Sequence, residues 1–342
     1  MNSNTLSSTD RKGLLEQSRA IVTRLQDRLR FAVRGRDEVI ELVLIALLAD
    51  GHVLLEDHPG SGKTTLAKCL GESIQSQGAR EDMIESFRRV QFTPDLLPSD
   101  VTGVSVFDPE SNRFHFRPGP VFTHVLLADE INRTSPKVQS SMLEAMAEKQ
   151  VTVDNQSYPL DHLFFVIATQ NPRDLVGTYP LPVAQLDRFL FKIRMDYIER
   201  AAEVDVLRSY RDRRHEDRSA LRAMPLVSRD DIIWARQVIE EHVHLDNRLQ
   251  DALVDLARAL RQSPQVAQGV STRSLVLLMP ALQALALMRG RDFVIPEDIQ
   301  TLAPHVFAHR LELAPGVENP MDVIKQVIRP TLEQLTRSTM KS

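Results

Sequence analysis

The residues best suited to chemistry lie in the glycine-rich segment Asp57–Thr65, which reads DHPGSGKTT. A nucleoside triphosphate is held by converging backbone N–H groups, and side chains at Gly60 and Gly62 would obstruct that approach. The Lys63 ammonium could contact the β- and γ-phosphates, and the Thr64 hydroxyl could ligate Mg²⁺. The segment therefore predicts a phosphate-binding loop, with a plain glycine-rich turn before a helix as the structural alternative.

The loop departs from the strict pattern G-x-x-x-x-G-K-[ST], because Asp57 stands where the first glycine belongs. Aspartate adopts a positive φ more readily than most residues, so the turn can still form.

Two acids end the apolar segment Val125–Glu130 (VLLADE), downstream of this loop. A buried strand would deliver Asp129 toward a metal ion, through water, and Glu130 could polarise the attacking water as a general base. An apolar run that ends in Asp-Glu is common by itself. Its position after a phosphate-binding loop favours the catalytic interpretation.

Three more polar residues could complete such a site. Asn171 follows the apolar segment Phe164–Thr169 and could orient water against the γ-phosphate. Arg188 precedes the last apolar segment, and an arginine supplied there by another subunit would accelerate phosphoryl transfer by about 10³–10⁵. Arg273, at a predicted helix start, could bind an anion and report the nucleotide state. The structural alternatives are a turn at Asn171 and a surface pair of Asp187 with Arg188.

Short apolar segments alternate with amphipathic helices up to about residue 197, which predicts a mostly parallel sheet covered on both faces. The predicted strands are His52–Glu56, Val90–Phe92, His124–Ala128, Phe164–Thr169 and Leu190–Ile193. Two segments that alternate in polarity around a turn, Val104–Arg117 and Gln150–Leu160, predict inserted hairpins. Beyond residue 197 the sequence predicts helices at about 198–214, 229–241, 246–262, 272–289 and 296–311.

The composition excludes several classes of protein. A chain of 342 residues is long enough for two domains, and no run of 18 apolar residues predicts a membrane-spanning helix. The polar residues Met1–Asp10 lack the apolar core of a secretory signal. The single cysteine, Cys69, excludes an intramolecular disulfide and is typical of a cytoplasmic protein. A net charge of −4 gives no general attraction to nucleic acid.

Taken in order, the five elements resemble Walker A, Walker B, sensor 1, the arginine finger and sensor 2 of AAA+ ATPases, and the chain is most similar to the MoxR family. The resemblance extends from about Arg34 to Arg310. Further segments that carry it are Val33–Glu38 (VRGRDE), Gln91–Asp100 (QFTPDLLPSD), Gly119–Phe122 (GPVF), Asp129–Arg133 (DEINR), Tyr179–Pro182 (YPLP) and Gln185–Phe189 (QLDRF).

The resemblance implies an αβα P-loop core with hairpin insertions and a smaller helical lid. We expect an N-terminal helical segment (1–32), a nucleotide-binding domain (33–197) and the lid (198–342). It implies catalytic roles for Lys63, Glu130, Asn171, Arg188 and Arg273, and Mg²⁺ binding by Thr64 and Asp129. The residues implied to bind ATP are Val33 and Gly35 near the adenine, and His58, Pro59, Gly60, Ser61, Gly62, Lys63, Thr64 and Thr65 around the phosphates.

The resemblance also implies partners. The family usually assembles hexameric rings and often works with a von Willebrand factor A-type protein. Together they act on client proteins in metal insertion, complex maturation or cell-envelope stress. Two departures from the family pattern remove no catalytic group: Val183 stands where Glu is frequent, and Thr272 where Pro is common.

Two other functions stay open at this point. In a nucleic-acid motor, Phe114 and its neighbours Arg113 and Arg117 could contact bases and phosphates, although packing within a hairpin is the plainer interpretation. The second hairpin contains Asp154 and no Lys or Arg, which argues against a motor. In a non-hydrolysing nucleotide-bound scaffold, the water-activating residues would not be expected to remain intact.

Overall fold

A parallel sheet of five strands forms the core of the first half of the chain. The computed structural model describes residues 8–57, 60–76, 84–171, 177–212 and 216–339. Its strands are β1 (Val53–Asp57), β2 (Ile74–Gln75), β3 (Glu85–Gln91), β4 (Gly103–Asp108), β5 (Arg113–Pro118), β6 (Thr123–Asp129), β7 (Gln150–Val153), β8 (Gln156–Pro159), β9 (Phe165–Gln170), β10 (Phe191–Met195), β11 (Val227–Ser228), β12 (Val266–Gln268) and β13 (Glu312–Leu313). The central sheet has the order β10-β1-β9-β6-β3, and all its neighbouring strands are parallel. The predicted parallel α/β core is confirmed.

Helices cover this sheet and make up most of the second half of the described chain. They are α1 (Ser8–Ala32), α2 (Asp37–Leu48), α3 (Lys63–Glu72), α4 (Pro98–Thr102), α5 (Pro136–Glu148), α6 (Val183–Leu186), α7 (Arg200–Asp212), α8 (Glu216–Ala223), α9 (Arg229–His242), α10 (Asn247–Gln262), α11 (Thr272–Met288), α12 (Pro296–Phe307) and α13 (Pro320–Thr339). Short 3-10 turns follow β6 and α12, at Ile131–Arg133 and Ala308–Arg310.

Adjacent residues of the central strands enter different cores, as the two-residue period of a strand requires. On β1, Val53 and Leu55 join the core that contains α1, α2 and α3, whereas Leu54 joins the core formed with α5. Because both faces of the sheet are covered, the middle strands are apolar along most of their length, and every residue of β6 is buried.

Both predicted hairpins are present, as β4–β5 and β7–β8. The Phe116 ring of the first stacks on the Tyr158 ring of the second, with centroids 3.8 Å apart and an interplanar angle of 14°. Phe116 also meets Phe122 edge-on, at 5.5 Å. The two insertions therefore pack on each other and on the start of β6.

The five helices predicted beyond residue 197 are confirmed to within a few residues, except that α12 ends at Phe307 and the chain continues as a 3-10 turn. The sequence did not indicate α13, since a proline such as Pro330 inside a segment usually marks the end of a helix. Of β3, the sequence analysis predicted only the last residues, because this edge strand, ESFRRVQ, is largely polar.

One apolar core joins the sheet to the helices that follow it. Its members come from α1 and α2 as well as from α9 to α13. The predicted domain limits at residues 32/33 and 197/198 therefore stay predictions. None of the described helices combines the length and apolar character needed to cross a bilayer.

His52, just before β1, is fully enclosed by this packing. Its Nδ1 accepts from the Val166 N–H at 3.1 Å and its Nε2 donates to the Met146 carbonyl at 3.2 Å, so the ring is held in one neutral tautomer. Burial lowers the pKa of His52 to about 4, from an ordinary value of 6.5.

We expect part of the loss of stability in mild acid to come from His52. The unfolded chain takes up a proton near pH 6.5 and the folded chain only near pH 4, so stability is full above pH 6.5 and falls as the pH drops toward 4. The loss amounts to about 3 kcal/mol for this group. Burial also lowers the pKa of His305 and His309, so wild type must be compared with His52→Asn.

Urea unfolding at pH 7.5, 6.0 and 4.5 provides the measurement. The wild-type free energy of unfolding should decrease more steeply than that of His52→Asn, while His115→Gln, on the exposed face of β5, should follow wild type. Parallel curves for wild type and His52→Asn would show that His52 has no such role.

Candidate functional site

The predicted polar residues gather where the parallel strands end. In this sheet Glu56 lies beside Gln170, and Gln91 lies beside Asp129. The glycine-rich loop follows β1, Asn171 follows β9, and Asp129 and Glu130 end β6. Because the strands are parallel, their carboxyl ends share one edge of the sheet, which is where ligands bind in open α/β folds.

The glycine-rich loop leads directly into helix α3. Gly60 and Gly62 have φ angles of +91° and +96°, in the left-handed region that glycine adopts without strain. Gly62 is the N-cap of α3, so the N–H groups of Lys63, Thr64 and Thr65 lie in the first turn of the helix. Such a helix start attracts phosphate. The predicted ligands His58 and Pro59 lie outside the described residues.

Beside this loop is a cleft of about 680 Å³. Its walls are formed by the end of α1 and the residues after it, by the glycine loop, and by the segment from the end of β10 into α7. The lining residues include Val33, Arg34, Arg36, Gly60, Ser61, Gly62, Thr65, Met195, Tyr197, Ile198, Val206 and Leu207. The Ser61 hydroxyl is buried there without a hydrogen-bond partner among the described residues. An apolar wall next to a phosphate-binding helix start suits a nucleotide base.

Residues 33–36 are fixed against α7 by close packing and by charge. A Cβ on Gly35 would lie only 2.6 Å from the Ala202 Cβ, and Gly35 has a φ of +69°. Arg34 forms an ion pair with Asp205, and Arg36 donates to the Asp196 carbonyl. Val33 therefore lines the cleft, whereas Gly35 provides the contact with α7. Their contact with an adenine stays a prediction.

A hydroxyl from the neighbouring strand holds Asp129. Thr169 Oγ1 donates to Asp129 Oδ1 at 2.6 Å, and both residues are buried. Arg89 on β3 donates to Asp129 Oδ2 from Nη2 at 2.6 Å and from Nε at 3.2 Å. The carboxylate is thus fixed from both sides at the end of β6.

Glu130 has an unusual backbone for a non-glycine residue, with a φ of +57°. Its N–H donates to Thr169 Oγ1 at 2.8 Å, so a single hydroxyl holds both acids. Its carboxylate Oε2 accepts from Gln91 Nε2 at 2.8 Å and from Arg133 at 3.2 Å. These bonds orient the carboxylate at the end of β6, which a general base requires.

The end of β9 carries a second group of polar contacts. Gln170 Nε2 donates to Glu56 Oε1 at 2.5 Å, and Lys192 Nζ lies 2.7 Å from the same oxygen. Asn171 follows directly and is half-buried. Thr169, Arg89 and Gln91 were not predicted as site residues. Thr169 could have been found, since it is the first polar residue at the end of the apolar segment Phe164–Thr169.

Two predicted arginines lie away from the glycine loop. Arg273, at the start of α11, lies with its Nε 3.7 Å from Asp187 Oδ2, and Arg188 follows Asp187 in the chain. Asp187 and Arg188 precede β10, at the sheet edge opposite the loop. The Arg188 Nε is shielded from solvent and has no hydrogen-bond partner among the described residues. The structure therefore brings Lys63, Asp129, Glu130 and Asn171 to one edge and places Arg188 with Arg273.

The candidate site suits Mg²⁺ better than a metal ion that requires three or more protein ligands. Within the described parts of the chain, no group of three or more His, Cys, Asp or Glu side chains could hold a metal. Mg²⁺ needs only one or two protein ligands when phosphate oxygens and water supply the rest. Asp129 and Thr64 match that requirement.

Two family models match this chain. The ATPase family associated with various cellular activities (AAA) matches residues 52–191, and the AAA lid domain matches residues 258–331. The chain is 37% identical to chaperone MoxR1 of Mycobacterium tuberculosis over 289 residues, which cover 82% of this chain and 72% of that protein. The chain belongs to the MoxR family of AAA+ ATPases.

Other relatives span similar lengths. The uncharacterised protein YeaC of Bacillus subtilis is 48% identical over 82% of this chain and 83% of its own length. A crystal structure of a candidate ATPase from Cytophaga hutchinsonii is 33% identical, covers 94% of this chain and 97% of its own, and superposes with a TM-score of 0.83. In the MoxR-family chain the matched ATPase region extends from β1 to β10, and the lid region contains Arg273 and Arg310.

We expect Thr169→Val to lower the free energy of unfolding by about 1–3 kcal/mol, because the Glu130 N–H and one Asp129 oxygen lose their shared partner. Urea unfolding measures the change. Thr152→Val, on the exposed face of β7, is the matched control and should change stability by less than about 0.5 kcal/mol. An equally small effect at Thr169 would show that its hydroxyl does not hold the site.

Proposed function

We propose that this chain is a Mg²⁺-dependent ATPase that assembles into rings and remodels protein partners. The observation that carries the proposal is the glycine loop at the start of α3, on the same sheet edge as the fixed acids Asp129 and Glu130. Membership of the AAA+ ATPases supports hydrolysis, and the name of the relative MoxR1 supports a chaperone role.

The loop and the cleft would bind ATP. The first N–H groups of α3 and the orphaned Ser61 hydroxyl would donate to phosphate oxygens, and the Lys63 ammonium would neutralise part of their charge. Val33, Met195 and Ile198 would pack against the adenine. Mg²⁺ would be held by Thr64 directly and by Asp129 through water, and when bound it would supply charge stabilisation to the phosphates.

Asp129 and Glu130 would have separate roles, which their contacts already distinguish. Both Asp129 oxygens accept from protein donors, Thr169 and Arg89, which favours an outer contact to the metal. Glu130 is held at one carboxylate oxygen by Gln91 and Arg133. Glu130 would accept a proton from the attacking water, which Asn171 helps to orient.

The arginines away from the cleft support assembly into a ring. Arg188 has a buried Nε without a partner among the described residues, and Arg273 lies on the same local surface, next to Asp187. A catalytic arginine at the sheet edge opposite its own glycine loop suits a site completed by the neighbouring subunit. We propose a homo-oligomeric, hexameric ring in which both arginines act on the neighbour's nucleotide.

The partner and the setting rest on family resemblance alone. We propose a von Willebrand factor A-domain protein as partner, and client proteins that are assembled, activated or loaded with metal. A cytoplasmic location belongs to the same proposal, supported by a single buried cysteine.

One observation favours nucleic acid as an alternative substrate. Phe114 is 71% exposed on hairpin β4–β5 and packs on Phe107, with Arg113 next to it. Exposed aromatic rings beside arginine can bind single strands. The net charge of −4 and the absence of Lys and Arg from residues 150–160 weigh against a motor, so a protein client is the better-supported choice.

Glu130→Gln should bind ATP normally and hydrolyse it about 10²–10⁴ times more slowly, because the amide cannot accept the proton. Binding of a fluorescent ATP analogue and steady-state phosphate release measure the two steps. Glu144→Gln, on the exposed face of α5, should behave as wild type. Normal turnover in Glu130→Gln would remove Glu130 as the base.

Wild-type ATPase activity per subunit should rise with protein concentration, because each site needs a neighbour. Arg188→Ala should lose at least about 10³-fold in turnover and keep nucleotide binding, whereas Arg258→Ala, exposed on α10, should be unaffected. Single-stranded DNA should not change the rate. Stimulation by DNA would favour the motor, and full activity in Arg188→Ala would end the assignment of a shared site.

A further inference from the structure

The lid region contains a buried arginine that makes most of its contacts with the segment carrying Arg188. Arg310, in the 3-10 turn after α12, is 3% exposed, and its pKa is lowered chiefly by burial. Burying a guanidinium costs free energy unless its N–H donors find acceptors. The contacts of Arg310 therefore indicate which part of the chain it stabilises.

Each of the five N–H groups of Arg310 has an acceptor. Nε donates to Asp187 Oδ1 at 2.7 Å, and Nη2 donates to the carbonyls of Asp187 at 3.0 Å and Phe189 at 2.7 Å. Nη1 donates to the carbonyl of Leu190 at 3.2 Å and to that of Val306, and it lies 2.8 Å from His309 Nε2. Four of these six contacts are with residues 187, 189 and 190, on both sides of Arg188.

A second contact from the lid reaches the same carboxylate. Arg273, at the start of α11, lies 3.7 Å from Asp187 Oδ2, on the oxygen that Arg310 leaves open. His309 adds a third contact, since its Nε2 lies 3.1 Å from the Phe189 carbonyl. The turn after α12 therefore holds the backbone on both sides of Arg188, and the start of α11 contacts the side chain of Asp187.

Arg188 itself is not among these partners. Its Nε has no hydrogen-bond partner in the described chain, while the residues on either side are fixed by at least one Arg310 bond each. This arrangement holds the backbone of Arg188 and leaves its side chain available.

We propose that Arg310, through Asp187, is a positioning residue for Arg188, so that the placement of the lid decides whether the neighbouring subunit receives its arginine. The inference rests on the proposed function, and specifically on a nucleotide site shared between subunits. Lysine could not replace Arg310, because one ammonium cannot serve a carboxylate and several carbonyls in this planar arrangement.

The test uses Arg310→Lys, with Asp187→Asn as a second variant if the first does not fold. Arg291→Lys is the matched control, because Arg291 also pairs with a buried acid, Asp298, at 2.6 Å and 2.8 Å, at the start of α12. Both lysine variants should lose stability, but only Arg310→Lys should lose ATP turnover, by at least about tenfold, while binding a fluorescent ATP analogue normally.

Mixed rings separate a positioning role from a merely structural one. An Arg310→Lys subunit retains Glu130 but misplaces Arg188 at its neighbour's site. A Glu130→Gln subunit places Arg188 correctly but lacks the base in its own site. In rings co-expressed from equal amounts of both, about one quarter of the interfaces combine the intact halves. Total activity should therefore recover to about a quarter of the wild-type value, although each variant alone is nearly inactive. Rings of Arg188→Ala with Glu130→Gln are the reference for this recovery.

The outcomes are distinct. Recovery in both mixtures supports the inference. The inference is overturned if activity recovers when Glu130→Gln is mixed with Arg188→Ala but not when it is mixed with Arg310→Lys or Asp187→Asn. It is also overturned if Arg310→Lys alone keeps full turnover. If the Arg188→Ala reference itself shows no recovery, the shared site of the proposed function is wrong, and the inference falls with it.

Discussion

The parallel direction of the central strands is the constraint on which the rest of the structure depends. Because β1, β6 and β9 run the same way, their carboxyl ends meet at one edge, and the glycine loop, Asp129 and Asn171 arrive there together. A single hydroxyl, that of Thr169, then sets the positions of two acids, since it donates to Asp129 and accepts from the Glu130 N–H. The left-handed backbone at Glu130 persists because these bonds hold it.

The parts of the site that lie at strand ends could be predicted from the sequence, since their pattern combines an apolar strand with a polar end. Asp129, Glu130 and Asn171 were found in this way and Lys63 through the glycine-rich loop, and their roles stay predictions. Arg89 could not be found, because β3 is a polar edge strand whose periodicity is weak. Its partnership with Asp129 depends on strand order, which one sequence does not reveal.

The same limit applies to the lid. The pattern of apolar residues predicted its main helices but not where they dock. The bond between Arg310 and Asp187 joins residues 123 positions apart, and neither residue type signals the other. Arg273 was predicted to report the nucleotide state, and the structure shows it beside Asp187. Docking depends on the shared apolar core and on such buried polar contacts, both of which are tertiary properties.

Buried charges attach the helices of the second half of the chain to the sheet at two places. At the start of α9, Arg229 donates to Asp161 at 2.9 Å, and the buried His124 lies 3.5 Å from the same carboxylate. Burial raises the pKa of Asp161, but the bonds from His124 and Arg229 outweigh it and hold that pKa well below its usual range. Asp161 is therefore charged beside Arg229 at neutral pH.

That pair attaches α9 to the sheet edge opposite the glycine loop, since Asp161 precedes β9 and His124 begins β6. The Arg310 contacts lie at the same edge, because residues 187–190 directly precede β10, which runs parallel to β1. The segment that carries Arg188 is thus held where the C-terminal helices meet the sheet, away from the glycine loop. A shift of those helices relative to the sheet would therefore change the position of Arg188.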